Sequence, residues 1–539
     1  MLVYGDHAER VDPCRRLAEL AASTGRWASH DQLTDLFVDA AGLAQGIGDA
    51  DFAAVGEDRP RPQERALLAW LTRFGGTLLT SWERRQTGGE AEPLLDLPDL
   101  PSEVMINLAE GYAFYALRPE AIALAARQLR LVGAPRIIGL RSIGTGLACM
   151  AAAALGAEPP ITLRPAGAPF DRRPRMSGEL AAELLAGDPH FVIVDEGPGL
   201  SGSSFGGVAD WLEDHGAPAD RIAFLPSHSG ELGPQAQGRH RRRWSHAQRP
   251  VASLDEPRRD WIEQLVGPLT GCTDISGGQW RTLWSANEAD WPPIDPTWER
   301  RKFLARTGDD AWLVKWAGLG RHGAAKLALA KELSAFLPET AGMTHGWLVT
   351  RWRDDAVPTR PTLPELTSYL RARAALPTPQ PGASLETLVA MVRRNALPGW
   401  LPDLSRLTLR PVITDNRMAA HEWLRRPDGR LLKADALDHH SGHDLIGCQD
   451  IAWDVAAAVI ELDLASSATE QLRTALEVSV PLLAFYQVAY RAFRIGAHRM
   501  SAAALAHSPA ERRRHEAAAA RHAAALAAVD SIEHASHVA

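Results

Sequence analysis

The sequence predicts an α/β fold. A helical N-terminal region is followed along the chain by a domain with a mainly parallel sheet and then by a second unit of the α+β class. Three observations lead to this prediction. The chain has 539 residues, which is too long for one ordinary domain. Residues 105–230 alternate between helix and strand patterns, as a parallel sheet requires. From residue 300 onward, a hairpin pattern gives way to a long run of helices.

Composition narrows the classes of function. The formal net charge of −8 argues against a broad nucleic-acid-binding surface. The four cysteines lie far apart without a CxxC pair, so neither a disulfide framework nor a structural zinc site is expected. No apolar segment suits a signal peptide or a bilayer span. We therefore expect a cytoplasmic protein without a membrane or specific nucleic-acid partner, and the sequence indicates no oligomeric state.

Shifts in pattern divide the chain into five segments. They are a helical N-terminal region (1–100), the parallel-sheet domain (101–245), an irregular Trp-rich linker (246–299), the second unit (300–500) and a C-terminal helix or tail (501–539). Core packing is the favoured interpretation of the tryptophans, and an aromatic substrate platform is the alternative. The basic run 239–243 is interpreted as a solvated linker, with an arm that holds a diphosphate as the alternative.

The elements follow in chain order. Ser29 can cap a helix whose apolar residues recur at helical spacing, and a second helix begins at Pro62. Pro119 opens a helix that runs to Leu131. Four short apolar runs predict the strands of the parallel sheet: 136–140, 161–164, 191–194 and 222–226.

The third of these strands runs into a segment suited to a sugar phosphate. Asp195 and Glu196 follow it, and a four-residue spacer leads to a small polar loop that opens a helix: Ser201, Gly202, Ser203 and Ser204. A helix N-terminus offers unpaired backbone N–H groups and the positive end of its dipole to an anion. The glycine permits close approach, and the serines add hydroxyl donors. The two carboxylates can accept hydrogen bonds from ribose hydroxyls.

This order of apolar strand, acidic pair, spacer and Ser-Gly-x-Ser loop resembles the type I phosphoribosyltransferases. The resemblance implies that Asp195 and Glu196 act on the ribose of phosphoribosyl diphosphate, while the loop 201–204 binds the 5-phosphate. The spacer has one residue more than the family pattern, so the pairing of each serine with each oxygen stays open. A structural strand–helix turn is the alternative.

An earlier strand leads into a second loop of this kind. Its residues are Arg141, Ser142, Ile143, Gly144, Thr145 and Gly146. The loop resembles the diphosphate loop of the same family, which implies that Arg141 neutralises the leaving diphosphate and that Ser142, Gly144, Thr145 and Gly146 bind substrate. The implied reaction displaces diphosphate from C1 of the ribose, with Mg²⁺ stabilising the leaving group.

The second unit begins with a predicted hairpin around Gly308. The segment Ala-Trp-Leu-Val-Lys-Trp ending at Trp316, the segment 412–417 and the segment 433–435 resemble motifs of the aminoglycoside/choline kinase-like group of the protein-kinase-like fold. The resemblance implies ATP or another nucleotide as a ligand. It also implies four roles: Lys315 and Glu332 as a nucleotide-binding ion pair, Asp415 as the base, and Asp435 as the Mg²⁺ ligand.

The kinase-like motifs of the second unit depart from the pattern of the aminoglycoside/choline kinase-like group. Thr414 precedes Asp415, and Ala420 stands where the family has an asparagine. His421 or Asn416 is the alternative metal ligand, and a degenerate site is another. The segment 438–444, rich in Asp and His, is interpreted as a solvated loop, with a metal cluster as the alternative.

The leading functional hypothesis is a phosphoribosyltransferase that uses phosphoribosyl diphosphate and a small-molecule acceptor, coupled to an ATP-binding kinase-like domain in nucleoside-like metabolite synthesis or salvage. One alternative is a sugar or nucleoside kinase with a ligand-sensing phosphoribosyltransferase-like domain. Another is a transferase with an inactive nucleotide-binding half. The last is a non-catalytic regulator that binds phosphoribosyl diphosphate.

Overall fold

The computed structural model describes the chain except residues 6, 95, 96, 200, 234, 379, 397–400, 403, 405, 406 and 539, and it describes side chains as far as residue 528. Leu200, in the spacer of the predicted phosphate loop, thus lies outside the described residues. None of the helices within the described part is long and apolar enough to cross a bilayer.

Two long helices dominate the N-terminal region. Its elements are β1 (Ala8–Val11), α1 (Pro13–Ser23), β2 (Arg26–Trp27), α2 (His30–Val55), α3 (Pro62–Arg84), β3 (Gly89–Glu90) and β4 (Val104–Asn107). The Ser29 hydroxyl accepts a hydrogen bond from the Gln32 N–H at 3.2 Å and caps α2, as predicted. The helices bury Phe37 and Phe74 in a core that also contains Met150 from the next unit.

The second group of elements alternates helix and strand. Its members are α4 (Glu110–Phe114), α5 (Pro119–Ala126), β5 (Pro135–Leu140), α6 (Gly144–Leu155), β6 (Ile161–Leu163), β7 (Ala166–Ala168), β8 (Asp171–Arg173), α7 (Gly178–Leu185), β9 (His190–Val194), α8 (Ser203–Asp214), β10 (Ile222–Leu225) and α9 (Gly238–His246). Four strands form a parallel sheet in the order β10–β9–β5–β6, which confirms the predicted parallel sheet. The strand order reverses between β5 and β9, and open parallel sheets bind ligands at the carboxyl ends of such strands.

The basic run 239–243 is helical. It forms most of α9, in which Arg239 and Arg243 both pair with Glu213 on α8 at 2.7 Å. The Arg243 side chain is only 6% exposed. The prediction of a solvated linker is therefore wrong, and these two arginines are committed to α8 rather than to a diphosphate.

An antiparallel sheet of five strands begins the second unit. The elements here are α10 (Arg259–Val266), β11 (Gly271–Asp274), α11 (Arg281–Trp284), β12 (Lys302–Thr307), β13 (Asp310–Trp316), α12 (Arg321–Glu332), β14 (Thr340–Thr344), β15 (Trp347–Arg351) and β16 (Val357–Pro358). The order is β11–β12–β13–β15–β14. The predicted hairpin is present, with Gly308 at φ 53° between β12 and β13. Because β11 comes from the Trp-rich segment, that segment is part of the sheet rather than a free linker.

Helices make up most of the remainder. They are α13 (Leu363–Ala374), α14 (Leu385–Asn395), α15 (Ala452–Glu461), α16 (Ser466–Ala475), α17 (Val480–Ala504) and α18 (Pro509–Val538). Between α14 and α15, β17 (Trp423–Arg425) and β18 (Leu431–Lys433) form a short hairpin. This hairpin separates the two predicted acidic motifs at Asp415 and Asp435.

The tryptophans divide into two groups. Trp316 and Trp347 are fully buried in a cluster that also contains Ile137 and Val192, so the parallel and antiparallel sheets share one core. Four others line a cavity beside the antiparallel sheet: Trp280, Trp284, Trp298 and Trp352. The packing interpretation holds for the first group, while the second group gives that cavity aromatic walls.

Candidate functional site

The two predicted loops of the parallel sheet lie side by side at the point where the strand order reverses. A side chain at Gly144 would place its Cβ 2.7 Å from the Val194 carbonyl oxygen and 3.3 Å from an Asp195 carboxylate oxygen. Only glycine allows this approach, so Gly144 lets the first loop pack directly against the acidic pair of the second loop. The sequence motifs therefore converge on one crevice.

The acidic pair stands partly buried at the edge of this crevice. Glu196 accepts a hydrogen bond from the Gly111 N–H at 3.1 Å, and the Glu196 N–H donates to Asp195 at 2.8 Å. Burial raises the pKa of Asp195 to about 7. Burial, together with the charges of Glu110 and Asp195, raises the pKa of Glu196 to about 8. The pair can therefore hold protons near neutral pH, and a cationic or hydroxyl-bearing ligand would favour its ionised form.

The serine loop is covered by the β7–β8 hairpin. The Ser201 and Ser203 hydroxyls both donate to the Pro169 carbonyl, at 3.2 and 2.8 Å, and Arg172 donates to the Ser204 hydroxyl at 3.2 Å. Gly202 has φ 65° and precedes α8 directly. The predicted hydroxyl donors are thus engaged within the protein, and a phosphate at this loop requires the hairpin to move.

Arg141 points away from the crevice, which corrects its predicted role. Its guanidinium is 1% exposed and lies 2.9 Å from Asp49, with further ion pairs to Asp58 and Glu64. It also donates to the Thr162 hydroxyl at 3.2 Å. These contacts tie β5 to the N-terminal helices, so Arg141 stabilises the packing and does not reach a diphosphate in the crevice.

The other small residues of the first loop also face the protein. A Cβ at Gly146 would lie 2.7 Å from the Ala41 side chain, so this glycine allows α6 to approach α2. Thr145 is buried, and its hydroxyl finds no hydrogen-bond partner among the described residues. Ser142 and Tyr112 line a small separate pocket. Of the predicted donors, Gly144 alone is in contact with the acidic pair.

A larger cavity lies between the antiparallel sheet and the helices of the second unit, and we call it the cleft. It encloses about 440 Å³, within the range of small-molecule sites. Lys315 of β13 and Asp435 after β18 meet here, with Nζ and Oδ1 2.9 Å apart. Lys315 also contacts Asp438 at 2.6 Å, and Lys326 contacts the same carboxylate at 2.6 Å. Burial lowers the pKa of Lys315, but the two carboxylates outweigh it and raise the pKa overall.

The predicted ion pair of Lys315 with Glu332 is not formed. Glu332 is exposed at the end of α12, and its helix instead places Lys326 next to Asp438. The carboxylate partner of the strand lysine therefore comes from the loop after β18. The sequence predicts a solvated loop at 438–444, but Asp438 is buried, so this prediction is wrong at Asp438.

Asp415, the predicted base, is 1% exposed. It accepts a hydrogen bond from Tyr369, and its carboxylate lies 3.4 Å from Lys433 and 3.7 Å from Arg373. Burial alone raises the pKa of Asp415, but Lys433, His439 and Arg373 outweigh it and hold the pKa well below its usual value. This carboxylate is an internal counter-ion rather than an open proton acceptor.

His439 connects Asp415 to a group of potential metal ligands. Its Nδ1 lies 3.3 Å from Asp415, and its Nε2 lies 3.7 Å from Asp435. The donor atoms of Glu422, Asp435 and His439 lie within 4.8 Å of one another. If Nδ1–H donates to the ionised Asp415, the Nε2 lone pair is left free, which is how carboxylates orient metal-binding histidines. Two carboxylates and an imidazole fit a divalent cation, with Glu422 next to the alternative ligand His421.

Two linked histidines, His498 and His515, also line the cleft. His515 Nε2 lies 3.0 Å from the Ile294 carbonyl and must donate to it, so His515 Nδ1 accepts from His498 Nδ1 at 3.0 Å. Burial lowers the pKa of His515, which keeps it neutral. His498 Nε2 is therefore an unprotonated acceptor, and it has no hydrogen-bond partner among the described residues.

Neither family models nor curated protein sequences match the chain. Among solved structures, choline kinase LicA from Streptococcus pneumoniae is similar with a TM-score of 0.26 and 16% identity, over 42% of this chain and 90% of that one. A choline/ethanolamine kinase family protein from Mesorhizobium loti has a TM-score of 0.28 and 15% identity, over 46% and 93%. Aminoglycoside 2'-phosphotransferase-IIIa has a TM-score of 0.29 and 11% identity, over 46% and 98%. These values are too low to establish a shared fold or activity.

Several residues of the cleft were not predicted as site residues. His439 belongs to the segment 438–444, for which a metal cluster is only the alternative to a solvated loop, and Glu422 lies next to His421, an alternative metal ligand. The sequence signal for His439 is its spacing. It follows Asp435 by four residues, and the two side chains lie 3.7 Å apart. Lys326 and His498 carried no comparable signal, because their partners lie far away in the sequence.

Proposed function

We propose that the chain is a phosphotransferase that binds a nucleoside triphosphate in the cleft and transfers its terminal phosphoryl group to a hydroxyl of a small molecule. The observation that carries the proposal is the pair of Lys315 and Asp435, 120 residues apart in sequence and 2.9 Å apart in space. A lysine for the phosphates beside a carboxylate for the metal is the minimal protein apparatus for this chemistry.

Mg²⁺ is the proposed cofactor, and it would neutralise the phosphate charges when bound. Asp435, Glu422 and His439 Nε2 would hold it, and Asp415 keeps His439 in the required orientation. Lys315 would exchange its contact with Asp435 for contacts with the phosphates. The free lone pair of His498 Nε2 is suited to accept a hydrogen bond from the acceptor hydroxyl.

A phosphoryl-transfer assay tests this proposal. Wild-type protein, Mg²⁺ and ATP labelled at the terminal phosphate are incubated with sugars, nucleosides and amino alcohols, and labelled product is measured. Lys315→Met and Asp435→Asn should each abolish transfer, whereas Lys331→Met, an exposed lysine on the same unit, should leave it intact. Transfer that survives both cleft substitutions would sink the proposal.

A second proposed function concerns the crevice of the parallel sheet. Its support is the contact of Gly144 with the Asp195–Glu196 pair at the reversal of strand order. We propose that the crevice binds phosphoribosyl diphosphate with Mg²⁺. The engaged serines and the buried Arg141 favour binding over transfer of the phosphoribosyl group. Calorimetric titration of phosphoribosyl diphosphate with Mg²⁺ measures binding, and an affinity unchanged by Asp195→Asn with Glu196→Gln would exclude these residues as the site.

A further inference from the structure

Arg300 is a cation without a partner at the border of the cleft. It lies just before β12, and its guanidinium carbon is 4.0 Å from the ring centroid of Phe114. No described residue forms a hydrogen bond or an ion pair with it. Burial lowers the pKa of Arg300, although Asp438 and other acids oppose the effect. Arg300 is only partly exposed, so its unpaired guanidinium has lost part of its hydration, and an anionic ligand would compensate for that loss.

The neighbouring carboxylates are already neutralised. The network of ion pairs in the cleft contains five cationic side chains and four carboxylates. The cations are Lys315, Lys326, Arg373, Arg417 and Lys433, and the carboxylates are Asp415, Glu422, Asp435 and Asp438. Arg300 adds a sixth positive charge. Asp435 and Asp438, the network carboxylates whose charges act on Arg300, therefore already have lysine partners, and neither forms an ion pair with Arg300.

We infer that Arg300 and Phe114 form a phosphate-binding subsite of the cleft. The Phe114 ring holds the guanidinium plane in place, and the free N–H groups of Arg300 can bind two phosphate oxygens at once. The inference deepens the proposed phosphotransferase function and rests on it. Phe114 comes from α4 of the parallel-sheet unit, so the subsite is built by both units. The phosphate belongs either to the nucleotide or to a phosphorylated acceptor.

Three variants and one control test the subsite. Arg300→Gln removes the positive charge. Arg300→Lys keeps the charge but removes the planar pair of N–H donors that can bind two phosphate oxygens. Phe114→Leu removes the aromatic ring. Arg301→Gln is the control, because Arg301 pairs with Asp274 at 2.8 Å and does not line the cleft. Dissociation constants for ATP, ADP and AMP with Mg²⁺ are measured by calorimetry, and inorganic phosphate is titrated in the presence of saturating AMP.

A nucleotide phosphate at Arg300 predicts that Arg300→Gln weakens ATP binding at least tenfold and leaves AMP binding almost unchanged. An acceptor phosphate predicts that ATP binding is retained while the binding of inorganic phosphate alongside AMP is lost. In both cases Arg300→Lys should recover only part of the affinity, and Phe114→Leu should cause a severalfold loss. Arg301→Gln should match the wild type.

Unchanged affinities for every probe in Arg300→Gln would overturn the inference. If that variant unfolds on its own, Arg300→Lys and Phe114→Leu decide, and wild-type affinities in both would overturn it equally. Failure of the proposed function is distinguishable. If the wild type binds no nucleotide but binds inorganic phosphate through Arg300, the subsite stands without the function. If ATP binding depends on Lys315 and Asp435 but not on Arg300, the function stands without the subsite.

Discussion

The surroundings of a carboxylate decide its role, as Asp415 illustrates. The kinase-like resemblance implies that Asp415 is a base, but the folded chain surrounds it with Tyr369, Arg373, Lys433 and His439. These partners stabilise the ionised form and shield it from a substrate. The same partners make the carboxylate important for stability, because two cations would otherwise be buried without a full counter-charge.

Asp415→Asn should therefore act first on stability. We expect the free energy of unfolding to fall by about 3–5 kcal/mol, the usual cost of removing one partner of a buried ion pair. Urea denaturation followed by circular dichroism measures it, with Asp428→Asn at an exposed turn as the control. A variant with wild-type stability and no phosphoryl transfer would instead identify Asp415 as the base.

The acidic pair of the crevice predicts a dependence of stability on pH. Burial raises the pKa of Asp195 to about 7 and that of Glu196 to about 8. The folded state then keeps protons that the unfolded chain loses, so this contribution to stability falls as pH rises from about 4 towards 8. Asp195→Asn with Glu196→Gln should remove the dependence, and its melting temperature relative to wild type should increase between pH 5.5 and 8.

The matched control for this measurement is Glu179→Gln, an exposed carboxylate on α7. Its melting temperature relative to wild type should stay nearly constant over the same range. A constant difference for the Asp195 and Glu196 variant as well would show that the pair is ionised throughout. Comparing differences rather than absolute melting temperatures removes the contributions of the other titrating groups.

At the scale of elements, the β7–β8 hairpin controls access to the serine loop. It packs closely on α8, since a Cβ at Gly207 would lie 2.0 Å from the Arg172 carbonyl oxygen. Gly207→Ala should displace the hairpin and release the serine hydroxyls from Pro169. Hydrogen exchange in 166–173 should then increase, while Gly178→Ala, at a position with open space around it, should leave exchange unchanged. Unchanged exchange in Gly207→Ala would contradict the covering role.

Local elements were predictable from the sequence, whereas their distant partners were not. The strand–loop–helix at 191–204 and the hairpin around Gly308 follow from apolar periodicity and turn residues that lie close together in the chain. The partners of Arg141 are Asp49, Asp58 and Glu64, which no local pattern connects to it. The kinase-like resemblance implies Glu332 as the partner of Lys315, and no local pattern connects Lys315 to Asp438.

At the scale of the whole molecule, α4 joins the crevice to the cleft. Its Gly111 N–H donates to Glu196 at 3.1 Å, and its Phe114 packs on Arg300. The next residue, Tyr115, reaches His443 of the cleft at 3.2 Å. A ligand that draws Glu196 away from α4 would therefore change contacts at the cleft as well.

This arrangement predicts coupling between the two sites. Saturating phosphoribosyl diphosphate should change the dissociation constant of ATP by about fivefold or more, within the usual range of coupling between sites. Calorimetric titration of ATP with and without the second ligand measures the factor. His443→Ala, which removes the contact with Tyr115, should reduce it towards one. Equal ATP affinity in both conditions for the wild type would contradict the coupling.

The central claim is that Lys315 and Asp435 together form a nucleotide-phosphate site. Its most direct measurement is the calorimetric titration of ATP with Mg²⁺ into the wild type, Lys315→Met, Asp435→Asn and the control Lys331→Met. We expect binding to the wild type and the control, at least tenfold weaker binding to Lys315→Met, and the loss of Mg²⁺ dependence in Asp435→Asn. Equal affinity for all four proteins, or no binding to the wild type, would contradict the claim.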